Sequence, residues 1–198
     1  AEQSGFIADL GYETYQKILE EAVDELKNDE FADLYTDAEE GKRDSGSTYV
    51  RETFIESDLE LLFPPTYIPN DSERISLYRE LDNMEEERDI LAFTARLKDR
   101  FGKVPKEGKE LIRVVRLRRM AKKLGMEKIV LKKGQMSLYL VSHSDSPYYQ
   151  SEAFDKLLRF IQRHPRECSL RDQNGKRSIL IKNVPTVETA CRLVQEIG

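Results

Sequence analysis

The sequence predicts an α+β fold, helices packed with an antiparallel or mixed sheet built from hairpins, and three observations predict it. Amphipathic stretches alternate with paired apolar runs and not with single ones, which is the order of hairpins and helices rather than of a doubly wound parallel sheet. Two of those pairs meet at tight-turn dipeptides, Lys133-Gly134 and Asn174-Gly175. Leu, Ile, Val and Phe supply about a quarter of the 198 residues, enough for a core, while 35% of the chain is charged and must form solvated faces or a polar contact surface.

Taken in order, Tyr12, Tyr15, Leu19, Ala22 and Leu26 recur at intervals of three and four, so residues 1–27 are expected to hold an isolated amphipathic helix that packs on a neighbouring body. Residues 28–48 read NDEFADLYTDAEEGKRDSGST, acidic and then rich in Gly and Ser, which predicts a flexible linker with an r.m.s. span of about 25 Å. Residues 49–198 are then expected to form the folded domain. Its first stretch, from Tyr49 to Phe63, reads as extended chain stopped by Pro64-Pro65. After Pro69, Asp71 is placed to N-cap a helix whose inner face would be Ile75, Tyr78 and Leu81. A second helix is expected from about Asn83, with Glu85, Glu86, Glu87 and Asp89 near the positive end of its dipole, Ile90, Phe93 and Leu97 buried, and Gly102 as its stop.

A third helix should run from about Lys106 to Leu124 and end at Gly125. At 100° per residue, Leu111, Val114, Leu117, Ala121 and Leu124 share one side, and Arg113, Arg116, Arg119 and Lys123 gather roughly opposite. The IVLKKGQMSLYLV stretch predicts a hairpin, Phe154, Leu157, Leu158 and Ile161 a helix closed by Pro165, and Cys168 to Ile181 a second hairpin. Pro185 or Thr186 would open a last helix with Val187, Ala190, Cys191, Val194 and Ile197 inward.

Charge and motifs narrow the function. The formal charge is −5, which excludes a generally basic nucleic-acid binder, but the balance is uneven: residues 1–100 carry 11 basic and 27 acidic side chains, residues 101–198 carry 21 and 10. No apolar run approaches the ~20 residues that cross a bilayer and no signal peptide opens the chain, so a cytoplasmic protein without membrane contact is expected. Cys168, Cys191, His143 and His164 lack the spacing of a zinc site, and no GxxxxGK[ST] loop is present to surround a nucleotide's phosphates. His143 beside Ser142 and Ser144 has neither a nucleophile elbow nor an orienting third group. No catalytic centre, cofactor or metal is expected. Two charged surfaces remain: the basic helix, whose Arg113, Arg116, Arg119 and Lys123 could contact phosphates, and an acidic side of residues 70–100 that includes Asp82, Glu86, Asp89 and Asp99 and could meet a basic partner.

Two groups of segments resemble the bacterial transcription-repair coupling factor (Mfd) family. AEQSGFIADLGYETYQKILEEAVDEL looks like the stretch that follows the second motor module of those ATP-driven DNA translocases. YIPNDSERISLYREL, DRFGKVP and RLRRMAKKLGMEKI resemble their C-terminal domain in the same order and with similar gaps; Tyr67-Ile68-Pro69, Asp99-Arg100-Phe101-Gly102 with Pro105, and Leu124-Gly125 carry the likeness. The resemblance implies a helical tail of the motor at 1–27 and an α/β regulatory domain at 49–198, with the ATPase motifs elsewhere in the parent protein. It further implies autoinhibition in transcription-coupled nucleotide excision repair: the domain would dock on the N-terminal UvrB-like module of the same protein, masking the surface that recruits UvrA, until RNA polymerase is engaged. Acidic residues on the helix that ends in Asp-Arg-Phe-Gly are implicated in that docking; Asp99 matches such a position, whereas Arg96 stands where the family pattern usually has Glu. The alternative function is a nucleic-acid-binding module using the basic helix face.

Overall fold

The computed structural model describes residues 49–198, so the amphipathic helix expected at 1–27 and the linker expected at 28–48 lie outside the described residues. The elements run β1 (Phe54–Ser57), α1 (Asp71–Asp82), α2 (Glu87–Phe101), α3 (Lys106–Lys123), β2 (Met126–Lys132), β3 (Gln135–Leu140), a short 3-10 turn (Pro147–Gln150), α4 (Glu152–Arg163), β4 (Cys168–Gln173), β5 (Lys176–Ile181) and α5 (Val187–Ile197). The strands form one mixed sheet in the order β1-β2-β3-β5-β4, in which β1 runs parallel to β2 and every other neighbouring pair is antiparallel. This is the α+β class that the alternation of hairpins and helices predicts.

Both hairpins close as the dipeptides require. Lys133 and Gly134 have φ of 55° and 69°, Asn174 and Gly175 have 56° and 79°, and positive φ at both central residues gives a two-residue turn whose twist matches the strands. Strand alternation then sorts the side chains. Ile55, Ile129, Leu138, Ile179 and Leu170 stand opposite one another across all five strands, and Leu131, Met136, Ile181 and Cys168 form the next row. These rows face the helices and are buried, apart from Leu170 at the outer edge, which is 55% exposed. Helix α3 packs along α5 and over β1 and β2. Ile112 and Val115 are buried together with Leu111, Val114, Leu117 and Ala121, a wider arc than helical periodicity alone suggests, because α5 covers a second side of α3.

Several element boundaries differ from the sequence reading, each for a local reason. Asn70, not Asp71, caps α1: its side chain accepts from Glu73 N–H at 2.9 Å, and Asp71 becomes the first helical residue, paired with Arg74. Arg74 takes the buried place expected for Ile75, since its guanidinium donates to Ile68 O at 2.7 Å and is held by Asp71 as well. Helix α2 starts at Glu87 because Asn83 ends α1, its amide nitrogen donating to Arg79 O at 2.8 Å. Of the extended stretch 49–63 only Phe54–Ser57 is ladder-paired. The rest is held by side-chain hydrogen bonds: Thr53 Oγ1 donates to Met126 O at 2.7 Å and Phe63 N–H donates to the Tyr78 hydroxyl at 2.9 Å. Among the described residues no helix is long and apolar enough to cross a membrane.

The join between α3 and β2 is the tightest point. Gly125 has φ +75°, and a Cβ there would run into the ring of Tyr148, which is fully buried against Tyr49, Tyr149 and Phe154. Burial raises the Tyr148 phenol above its ordinary range, so it stays neutral. Gly125→Ala should therefore combine a left-handed backbone penalty with overpacking and lower stability by about 2–4 kcal/mol, read as a reduced midpoint in chemical denaturation.

Candidate docking surface

Helix α2 is fixed on three sides, and its fourth is open. Ile90, Phe93 and Leu97 enter the core at the spacing of one helical face. At its N-terminus Glu87 accepts from Arg116 Nε at 2.9 and 3.1 Å and from Arg119 Nη2 at 3.2 Å, while Arg119 Nη1 also donates to Glu85 O at 3.2 Å. The Arg116 hydrogen bond, outweighing the desolvation that acts against it, holds the Glu87 carboxyl below its ordinary value, with the charges of Arg116 and Arg119 adding to the effect. At the other end the Tyr67 hydroxyl points at Leu97 O and Gly102 O, 3.2 and 2.9 Å away, and Arg100 and Arg96 pair with Glu73 and Glu80 of α1.

The remaining face consists of Arg88, Leu91, Ala92, Ala95 and Asp99, all exposed and spaced to share one side of the helix. Leu91 is 57% exposed, which is unusual for a large apolar side chain on a helix with an otherwise clean inward face. Asp99 has no ion-pair partner among the described residues. Two small alanines thus separate an apolar side chain and a free carboxylate, leaving room for another surface to approach the helix closely.

The other expected surface residues are placed differently. Asp82 accepts from Arg118 Nη1 at 2.7 Å and its carbonyl accepts from Arg118 Nη2 at 2.7 Å. Glu86 pairs with Arg88 at 2.7 Å, and Asp89 lies 4.0 Å from the same guanidinium. Arg113 meets Glu110 at 3.2 Å and Glu188 at 3.8 Å, Arg116 and Arg119 are committed to Glu87, and Lys123 is exposed. Of the acidic residues between 70 and 100, Glu87 at the start of α2 and Asp82 at the end of α1 face the arginines of α3, whereas Glu86, Asp89 and Asp99 do not. Periodicity orders the faces of one helix but does not say which neighbour each face meets, so Glu87 as the shared acceptor and Arg118 as the partner of Asp82 were invisible in it. Leu91 did carry a signal, as an apolar residue off the Ile90, Phe93, Leu97 spacing. Among the described residues no group of three or more His, Cys, Asp or Glu side chains is placed to hold a metal ion.

Comparison with known proteins places this arrangement. The family model described as the TRCF domain matches residues 57–151. The chain is 32% identical to the transcription-repair-coupling factor of Escherichia coli (strain K12) over 128 residues, 65% of this chain and 10% of that protein. To the protein of the same name from Buchnera aphidicola subsp. Acyrthosiphon pisum it is 30% identical over 185 residues, 92% of this chain and 20% of the relative. To that of Rickettsia prowazekii it is 27% identical over 176 residues, 87% and 14%. The chain therefore spans a fifth or less of the length of these relatives. In three dimensions it is similar to the crystal structure of the C-terminal domain of transcription-repair coupling factor, with a TM-score of 0.60 at 12% identity, covering 74% of this chain and 91% of that one.

The Glu87 clamp makes a testable contribution to stability. A carboxyl whose pKa is lowered by folding stabilises the native state above its unfolded pKa, and that contribution is lost as pH falls through the folded value. Glu87 is 43% exposed, so solvent screening limits the effect. Glu87→Gln should cost about 1 kcal/mol at neutral pH, and denaturation midpoints of the two proteins should converge in an acid series once Glu87 is protonated.

Proposed function

The chain carries a TRCF domain at residues 57–151 on the fold of a coupling-factor C-terminal domain, and from that premise we propose that it is a non-catalytic regulatory module of an ATP-dependent DNA translocase in transcription-coupled repair. The motor would reside in the much longer remainder of the parent protein. The module docks on the N-terminal UvrB-like module of the same protein, covers the surface that recruits UvrA, and is released when the translocase engages RNA polymerase. The observation that carries this reading is the open face of α2, where Leu91, Ala92 and Ala95 offer an approachable apolar strip beside the unpaired Asp99.

The physical logic is that of a weak and exchangeable contact. A carboxylate with no partner in its own domain gains most from a basic group on another surface, and a small apolar strip adds burial without making the contact permanent. Tethering within one chain raises the effective concentration of the two surfaces, so few strong contacts are needed. Arg96, which replaces the Glu of the family pattern, is bound by Glu80 and lies over the Phe93 ring with its guanidinium carbon 5.7 Å from the centroid. Its charge is thereby partly compensated within the domain and does not cancel the attraction that Asp99 exerts. The alternative, phosphate contact by the face of α3, has less support, since Arg113, Arg116 and Arg119 already serve carboxylates.

Mixing this chain with the separately produced UvrB-like module should give salt-sensitive binding by titration calorimetry, weakened about tenfold by Asp99→Arg and by Leu91→Glu. An unmodified chain that shows no binding at low salt would sink the docking reading.

A further inference from the structure

The sheet has a second face, and its composition differs from that of the first. Strand alternation puts Phe54, Lys128, Tyr139, Ser178 and Arg171 in one continuous row across all five strands, opposite to the rows that meet the helices. Three apolar members of this face, Phe54, Val130 and Tyr139, are half-buried and stand outside the hydrophobic core, which gathers the buried side chains of all five helices, while Leu180 on the same face is buried. Phe54 and Tyr139 are partly exposed, and Arg171 is exposed. Lys132 and Lys176 extend the same face, and its one strand carboxylate, Glu56, sits between Lys128 and Lys132 at 3.4 and 3.2 Å. Among the described strand residues of this face, four cations therefore stand against one acid.

From this juxtaposition we infer that this second sheet face is a binding surface for single-stranded nucleic acid. Aromatic rings on a flat sheet, set among cations and hydroxyls, are what extended strands with unpaired bases use: bases stack on the rings and phosphates meet the cations. Phe54 and Tyr139 lie two strands apart, about 10 Å, with Lys128 between them, and the row from Phe54 to Arg171 spans about 19 Å, room for about four nucleotides. A duplex hides its bases and presents a convex surface that a flat sheet meets only through phosphates, so the face selects single strands. An acidic protein segment would satisfy the cations but would not require the aromatic rings. The surface is distinct from the α2 face, and the inference does not rest on the docking reading.

Fluorescence anisotropy with labelled 12-nucleotide oligothymidine, oligouridine and a 12-base-pair duplex tests it on the full chain. Both single strands should bind more tightly than the duplex, with affinity falling steeply as salt rises. Tyr139→Ala should weaken single-strand binding about tenfold while Tyr139→Phe retains it, and Arg171→Glu should both weaken binding and reduce the salt slope. Since Tyr139 stands outside the core, the thermal unfolding of each variant reports whether the fold is intact. Absence of binding to either single strand at 50 mM salt overturns the inference. So does binding that Tyr139→Ala leaves unchanged, which would mean an undirected attraction that any acidic partner shares.

Discussion

Helix α3 is buried from several directions at once, by the sheet beneath it, by α5 along one side and by the α1–α2 pair along another. A helix so enclosed cannot leave charged groups unpartnered, because an unpaired charge away from water costs several kcal/mol. Its enclosed charges, Glu110, Arg113, Arg116, Arg118 and Arg119, accordingly all have partners, while Lys106, Lys109 and Lys123 are exposed. Glu110, 7% exposed, accepts from the backbone N–H groups of Val187 and Glu188, both at 3.2 Å, and so supplies from α3 an acceptor for the free amides at the start of α5. Arg113 neutralises that carboxylate. Cys191 of α5 donates from Sγ to Arg113 O at 3.4 Å, and burial pushes its thiol up to about 12, so it remains a packing group rather than a nucleophile.

The same constraint decides what is left for the outside. Arg116 and Arg119 draw Glu87 inward and with it the N-terminal end of α2, which fixes the rotation of that helix about its axis, while Arg118 holds Asp82 at the end of α1. Once that rotation is set, Leu91, Ala92, Ala95 and Asp99 must point away from the domain. The presented face is thus a consequence of internal charge pairing and not an independent feature. A domain that binds and releases another body benefits from this arrangement, since a rigid helix loses little conformational freedom when its exposed face is covered.

The sheet divides the molecule in a comparable way. Helices take one side, and the hairpin β4–β5 extends past their cover, so that Leu170 emerges from a row that is otherwise buried. On the opposite side the cations contributed by the basic second half of the chain stand clear of the carboxylates that neutralise α3. The formal charge of −5 describes neither surface, and the segregation of like charges by tertiary structure is what gives each face a distinct chemical preference.

By itself the sequence determined the class and order of the elements, because periodicity, proline stops and two-residue turns act within a few neighbours: the inward sets of α2 and α5, both hairpins, and the stop at Gly102 are all where those local signals put them. The shared motifs likewise carried the likeness to the coupling-factor family. Only the tertiary structure decided which charges remain available. Arg74 displaced Ile75 from the interior because a carbonyl and a carboxylate waited there, and the arginines of α3 turned to Glu87 because a neighbouring helix brought it within 3 Å. The pairing with Glu87 joins residues about thirty positions apart in the chain, which no local pattern encodes, and the Arg74 site, though built from near neighbours, exists only once Ile68 is folded beneath α1.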